Sequence, residues 1–289
     1  MNVAVVDLAS PSAPEEFTAS LHETGFAVLV NHPIPFEVVQ RTWSEWLAFF
    51  GSPRKWEFQH APGEQDGYRP LEGSELAVGA TVKDIKEYFH FYPWGRAPQA
   101  ESRVAGELFA HGSRLAKTLL GWVQDHSPSS VVERFSMPLP QMLEGSHRTL
   151  LRILHYPPLS GNEPAGSLRA AAHEDINLLT VLPAANEPGL QVLSLDGSWV
   201  DVPCDPGSVV INAGDMLDLA SGGFFPSTTH RVLNPTTGAN RSRCSTPLFL
   251  HPADPVQLDV RDGSPYTAFD FLNDRITAIT GESLKPLSR

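Results

Sequence analysis

Between Leu150 and Pro252 the chain is a succession of short strand-like runs separated by turn residues, and no other feature narrows the fold as much. "LRILHYPP", "GLQVLSL", "SWVDVP", "GSVVINAG", "THRVLNP" and "CSTPLFLHP" follow one another in this style. Between "GLQVLSL" and "SWVDVP", Asp196-Gly197 reads as a tight hairpin turn, because both residue types tolerate positive φ. The chain's 26 prolines and 22 glycines supply the punctuation that a strand-rich region requires. Ahead of this region the texture differs. Val3 to Leu8 and "GFAVLVNHPIP" read as strands, whereas Val39, Trp43, Trp46, Leu47 and Phe50 recur at helical spacing. Val104, Leu108, Leu115, Leu119 and Trp122 mark a long amphipathic helix, and a further helix is expected from about Pro128 to Glu144. Phe269, Leu272, Ile276 and Ile279 form one stripe of a closing helix. The expected fold is therefore mainly β with flanking α-helices, a sandwich or jelly roll that carries helices. No composition shift marks a linker in the 289 residues, so a single domain 1–289 is expected. Its parts are a helix-rich segment 1–146, a β core 147–252 and a closing helix 266–281.

Charge and cysteine usage exclude several classes. With a net charge of −12 the chain lacks the basic excess that tracks phosphates, so nucleic acid is not an expected partner. No apolar stretch approaches the ~20 residues of a membrane span. The opening "MNVAVVDLAS" lacks the basic and apolar regions of a secretion signal. Two cysteines, Cys204 and Cys244, support neither a disulfide framework nor a zinc cluster, and a reducing cytoplasm is the expected setting. No obligate protein partner is evident.

"AAAHEDINLLTVL" places His173 and Asp175 two apart at the head of an apolar run. On one strand such residues project to the same side, offering an imidazole nitrogen and a carboxylate oxygen together. A metal needs a third ligand from elsewhere, and His230, at the start of "HRVLNP", is the candidate among 11 histidines. Two histidines and one carboxylate on one face make the facial triad of non-haem iron(II) oxygenases, with three positions left open. The competing readings are ordinary polar residues at strand ends, or zinc, which normally takes Cys or a fourth protein ligand. Arg243 and Ser245 also lie two apart on an expected strand. An arginine fork with a neighbouring hydroxyl suits the far carboxylate of a dicarboxylic cosubstrate, and without such a ligand a buried arginine is costly. Arg241 is assigned to the adjoining turn.

Over most of its length the sequence resembles the iron(II)- and 2-oxoglutarate-dependent dioxygenase superfamily, in the branch similar to isopenicillin N synthase and the plant oxygenases. "VAVVDLAS" and "GFAVLVNHPIP" resemble the opening motifs of that family, with Pro33 where glycine is usual. "LRILHYPP", the stretch from "HEDINLLTVL" to "HRVLNP", and "RCSTPLFLHP" follow its later motifs almost continuously. The resemblance implies a double-stranded β-helix, that is, a jelly-roll core, and an enzyme that uses Fe(II), 2-oxoglutarate and O2. It implies His173, Asp175 and His230 as metal ligands, and Arg243, Ser245 and Tyr156 as the grip on 2-oxoglutarate. Hydroxylation, desaturation or cyclisation of a small organic molecule is the implied chemistry. The alternatives are an oxidase of the same family that does not use 2-oxoglutarate and, further off, a non-catalytic protein that binds a small acid. Leu154 stands where many plant members have asparagine, while Glu174 and Asn177 replace threonine and glycine, altering the mouth beside the iron.

For the substrate, the segment Asp66 to Trp94 lacks a packing pattern, and loops over a rigid barrel often carry specificity. Arg69, Lys86, His90 and Tyr92, with Tyr68 and Phe91, are its candidates, and Phe224 and Phe225 are added because they shortly precede His230. The cations point to a carboxylate-bearing substrate. For any one of these residues, core packing or solvation is the competing reading.

Overall fold

The computed structural model describes residues 3–71, 82–235, 240–281 and 283–285. Part of the Asp66–Trp94 segment, residues 72–81, therefore lies outside the described residues. In chain order the strands are β1 (Val5–Asp7), β2 (Phe26–Val30), β3 (Gly67–Arg69), β4 (Glu87–Phe91), β5 (Leu150–Tyr156), β6 (Ala170–His173), β7 (Leu179–Pro183) and β8 (Leu190–Leu193). They continue with β9 (Trp199–Asp201), β10 (Val209–Ala213), β11 (His230–Val232), β12 (Arg243–Ser245), β13 (Leu248–Leu250), β14 (Gln257–Arg261) and β15 (Ser264–Thr267). The helices are α1 (Ala13–Thr24), α2 (Phe36–Phe50), α3 (Gln99–His126), α4 (Ser129–Val132), α5 (Asp215–Ser221) and α6 (Ala268–Thr280).

Among the described residues, one sheet runs β1-β2-β10-β7-β13-β5-β4-β3 with β12 also on β5, and the second runs β6-β11-β8-β9. Side-chain alternation shows how they meet. On β10, Val209, Ile211 and Ala213 join the helix-facing core, while Val210 joins a second apolar cluster. That second cluster contains Phe26, Val28, Tyr88, Leu154 and Tyr156 of the large sheet together with Ala170, Leu190, Val192 and Val232 of the small one. It is the interior of the jelly roll. On the outer side, α2 buries Val38, Val39, Trp46, Phe49 and Phe50, and α3 buries Val104, Leu108, Leu115 and Leu119. The β-rich fold with flanking helices is as expected.

Three local expectations are corrected. The segment from Pro128 to Glu144 is not one helix, but the four-residue α4 followed by a 3-10 turn over Leu139–Leu143. Pro138 and Pro140 lack the N–H groups that a continuous helix needs. The helix-rich 1–146 segment also contributes β1 to β4 to the large sheet, so the Asp66–Trp94 stretch read as lacking a pattern carries two strands. At the β8–β9 hairpin only Gly197 takes positive φ (82°), closing a turn in which its N–H donates to Ser194 O at 2.9 Å. Asp196 instead accepts from Ser198 N.

Candidate active site

β6 ends at His173, and β11 begins at His230 directly across the ladder from it. The two imidazole centroids are 4.4 Å apart. Asp175 is not on β6, so the same-side rule for strand neighbours does not explain its position. It lies in the turn beyond the strand, which folds the carboxylate back until Oδ1 stands 3.9 Å from His173 Nε2 and 3.8 Å from His230 Nε2. One ligand atom from each of the three lies within 4.8 Å of the others. Each histidine spends Nδ1–H on a carbonyl, His173 on Ala171 O at 2.8 Å and His230 on Thr228 O at 3.1 Å. That selects the tautomer whose Nε2 lone pair faces Asp175. Desolvation, and then His230, push the His173 imidazole down to about 4, although 39% of its side chain remains exposed. It is thus neutral and able to donate a lone pair near pH 7.

The surroundings of Asp175 were not read from the sequence. Its Oδ2 accepts from Thr180 Oγ1 at 2.5 Å and from Asn212 Nδ2 at 2.9 Å, leaving Oδ1 to face the imidazoles. Burial opposes ionisation here, but His230, His173, Asn212 and Thr180 together hold the carboxyl below its usual range. Thr180 on β7 and Asn212 on β10 are paired in register. They project from the sheet towards the small sheet because of the same alternation that sends Val181 and Ile211 to the helices. A polar residue at an inward position of a buried strand was the available signal. Helix α5 braces the turn from behind: Asp215 N–H donates to Asp175 O at 2.7 Å, and Met216 N–H to Asn177 O at 3.1 Å. The approach is so close that a Cβ on Gly214 would stand 2.3 Å from Asn177 O. Glu174 and Asn177 are now placed. Glu174 accepts from Thr229 Oγ1 at 2.8 Å, tying together the chains that carry the two histidines. Asn177 is fully buried behind Asp175, donating to Thr180 Oγ1, and does not line the mouth as expected.

Further into the roll, β12 pairs with β5 so that Arg243 faces Tyr156 and Ser245 faces Leu154. Arg243 is 2% exposed; its Nε donates to Glu187 O at 3.0 Å, its guanidinium carbon lies 5.2 Å from the Tyr156 ring centre, and its Nη1 has no partner. An unpartnered donor on a buried cation suits an anionic ligand. Arg241, in contrast, is an exposed residue just ahead of the strand. The residues present thus fit a divalent metal at the three ligand atoms and an anionic group at Arg243.

The substrate candidates separate into two groups. On β4, Phe89 and Phe91 face the helices, while Tyr88 faces the interior. Lys86 and His90 share the parity of Tyr88. Lys86 is buried in a 2.8 Å ion pair with Asp84, which also accepts from Ala171 N, two residues before His173. His90 Nδ1 bonds Gln65 O and its Nε2 accepts from Arg152 Nε at 2.9 Å. Arg69 on β3 carries a buried, unpartnered Nε. Tyr92 is buried and stacked on Trp94, with desolvation pushing its hydroxyl up to about 12. Tyr68 and Phe91 lie in the helix-facing core. Phe224 and Phe225 are not in the roll: Phe225 is fully buried in the helix-facing core and Phe224 stacks on His22 of α1 at 3.9 Å. Their place follows from the chain passing beside α1 before it turns into β11. Arg152, which no sequence argument selected, lies 4.8 Å from the Tyr88 ring centre and 5.4 Å from that of Phe249.

Comparison with known proteins agrees with this geometry. Residues 148–252 match the model of the 2OG-Fe(II) oxygenase superfamily, and residues 3–107 that of the non-haem dioxygenase N-terminal region. The crystal structure of an oxygenase from Shewanella oneidensis is 50% identical, covers 96% of this chain and 98% of its own, and superposes with a TM-score of 0.86. The chain belongs to the 2OG-Fe(II) oxygenase superfamily. A 2OG-Fe(II) oxygenase family protein from Caulobacter crescentus is 28% identical, with coverages of 96% and 98% and a TM-score of 0.76. Gibberellin 2-beta-dioxygenase 2 of Arabidopsis thaliana is 29% identical over 265 residues, 87% of this chain and 74% of its own. The protein is an oxygenase that depends on Fe(II), 2-oxoglutarate and O2 and acts on a small molecule; the reading without 2-oxoglutarate is not favoured. Among the described residues of this oxygenase, no helix is long and apolar enough to cross a membrane.

Proposed function

We propose that His173, Asp175 and His230 hold the iron, that Arg243, Ser245 and Tyr156 hold 2-oxoglutarate, and that the oxidised substrate is a small carboxylate. The observation that carries the reading is the coincidence of two features in one roll: three ligand atoms within 4.8 Å of one another, and a buried arginine with an orphaned Nη1. When bound, iron(II), 2-oxoglutarate and O2 supply oxidation of a C–H bond, with 2-oxoglutarate leaving as succinate and CO2.

The chain's own residues have simpler tasks. Thr180 and Asn212 hold one oxygen of Asp175 so that the other faces the imidazoles. The carbonyls of Ala171 and Thr228 accept from Nδ1, so that in the neutral rings Nε2 carries the lone pair. Arg243 aligns the cosubstrate by its distal carboxylate, and Val192, Leu190 and Val210 keep water away from the interior. The unpartnered Nε of Arg69, across the ladder from Tyr88, supports an anionic group on the substrate. His90 and Tyr92 would act indirectly, by orienting Arg152 and closing the wall. The single-domain reading rests on strands from both halves sharing one sheet. The free thiols of Cys204 and Cys244 accord with a reducing cytoplasm.

Anaerobic titration with iron(II) and then 2-oxoglutarate should produce the visible charge-transfer band of the bound pair, and the His173→Ala protein should not. A band of undiminished strength in that variant would overturn the ligand assignment. Small carboxylates and their methyl esters should then be screened for stimulated succinate release. Equal stimulation by acid and ester would remove the carboxylate from the proposal.

A further inference from the structure

Arg243 is not the only buried guanidinium at its end of the roll. Arg169 immediately precedes β6, four residues before His173, and is 2% exposed. Its Nη2 donates to the carbonyl of Arg241 at 2.8 Å, which ties it to the chain entering β12, and its Nε has no partner. Desolvation comes first and the charge of Arg243 second in holding the Arg169 guanidinium below its ordinary value; Tyr156 and Glu187 act in the opposite direction. Those are the groups that surround Arg243 itself, whose Nε donates to Glu187 O and whose guanidinium lies over Tyr156. Two buried cations therefore share one neighbourhood, each with one unpartnered nitrogen, Nε of Arg169 and Nη1 of Arg243. Among the described residues their hydrogen bonds go to carbonyl oxygens, and neither is ion-paired to a carboxylate.

A single carbonyl bond is a poor return for burying an arginine. Its role could be met by a neutral donor, whereas an unpaired charge in the interior costs several kcal/mol by desolvation alone. Two such charges side by side add mutual repulsion. The arrangement becomes favourable when an anion lies between them, since charge-assisted bonds are the strong ones and a carboxylate has lone pairs enough for two guanidinium groups.

We propose that Arg169 is a second guanidinium of the cosubstrate pocket, donating with Arg243 to the distal carboxylate of 2-oxoglutarate. The inference rests on the proposed reading of Arg243. It adds that the pocket discriminates for a distal anion through two cations from separate chain segments, one on β12 and one just ahead of β6. Arg169 also links cosubstrate to metal, because the strand it opens ends at His173.

The test uses the full chain loaded with manganese(II), which binds the same donors without turnover. Affinities for 2-oxoglutarate and for 2-oxopentanoate, which has the same carbon chain but no distal carboxylate, are measured by calorimetry. In Arg169→Met the 2-oxoglutarate affinity should fall on the order of tenfold to a hundredfold, as expected for one charge-assisted contact. The 2-oxopentanoate and manganese affinities should change less than about threefold, since neither involves that contact. If both oxo acids weaken equally, Arg169 only supports the loop through Arg241, and the proposal is overturned. Arg243→Met separates the two levels. Loss of 2-oxoglutarate there, with none in Arg169→Met, overturns the Arg169 proposal and leaves the site reading intact. No loss in either variant overturns both. Should Arg169→Met fail to fold, Arg169→Lys keeps a cation at the position. Its expected signature is a smaller loss confined to 2-oxoglutarate, and the absence of any loss refutes the need for the second fork.

Discussion

Replacing Thr180 by valine removes one hydroxyl from behind Asp175 while keeping the branched shape. The threonine is 1% exposed, donates at 2.5 Å to Asp175 Oδ2 and accepts at 2.9 Å from Asn177 Nδ2. No solvent is at hand to replace either bond. The lost bond to an ionised carboxylate is worth about 1.5–3 kcal/mol, and an unpartnered Asn177 donor costs about another 1–3 kcal/mol. The asparagine already has one orphaned atom, Oδ1, so it has little scope to compensate. Folding stability should thus fall by roughly 2.5–6 kcal/mol, visible as a lower urea midpoint at unchanged slope. Metal affinity should fall separately. With only Asn212 holding Oδ2, the carboxylate can rotate, and loss of a group that orients a ligand typically costs about 10- to 100-fold in affinity. Manganese(II) binding by calorimetry, done well below the urea transition, measures this directly. Thr180→Ser should restore the metal affinity but not all of the packing. A Thr180→Val protein with wild-type manganese affinity would refute the claim that the hydroxyl aims Asp175.

Other consequences follow from the same contacts. Arg243→Lys exchanges a planar fork for a point charge and should weaken 2-oxoglutarate by about tenfold to a hundredfold in calorimetry, whereas Arg241→Lys should do little. Gly214→Ala places a methyl group 2.3 Å from Asn177 O, so the turn must move; a loss of about 1–3 kcal/mol in denaturation and weaker metal binding are expected. Glu87 is buried; burial raises its carboxyl, but bonds from His155, Lys55 and Tyr68 outweigh this and hold it below its usual range. A depressed carboxyl stabilises above its unfolded value of about 4.3 and loses that contribution as pH falls through its folded value. Glu87→Gln should therefore lower the melting temperature at pH 7, and the gap to the parent should narrow below about pH 4. Burial pushes the Cys244 thiol up to about 12, so it should stay unalkylated by iodoacetamide at pH 8 until the protein is unfolded, as peptide mass spectrometry would show.

The sequence by itself determined what depends on local pattern and residue type. Short strand-like runs with turn residues between them pointed to a β core, and helical spacing placed α2 and α3. The residue types fixed the chemistry: imidazole and carboxylate for a metal, and a guanidinium with a hydroxyl for a distal carboxylate. The tertiary structure decided which residues meet. His173 and Asp175 converge because a turn, not a strand, folds the carboxylate back, and that turn is held by Thr180, Asn212 and α5 from distant parts of the chain. Nothing local distinguishes Asn212 from any polar residue in a strand. Its role exists only because β10 pairs with β7 in that register. Phe224 and Phe225 make the same point in reverse. Closeness to His230 in sequence suggested the pocket, yet the chain there lies against α1, where Thr228 Oγ1 donates to Thr24 O, and both rings serve the helix-facing side. Arg169 is the sharpest case, since an arginine four residues before a ligand reads as solvated surface. Only packing reveals that it is buried beside a second guanidinium, because desolvation and charge proximity are properties of the folded ensemble of neighbours and not of the residue itself.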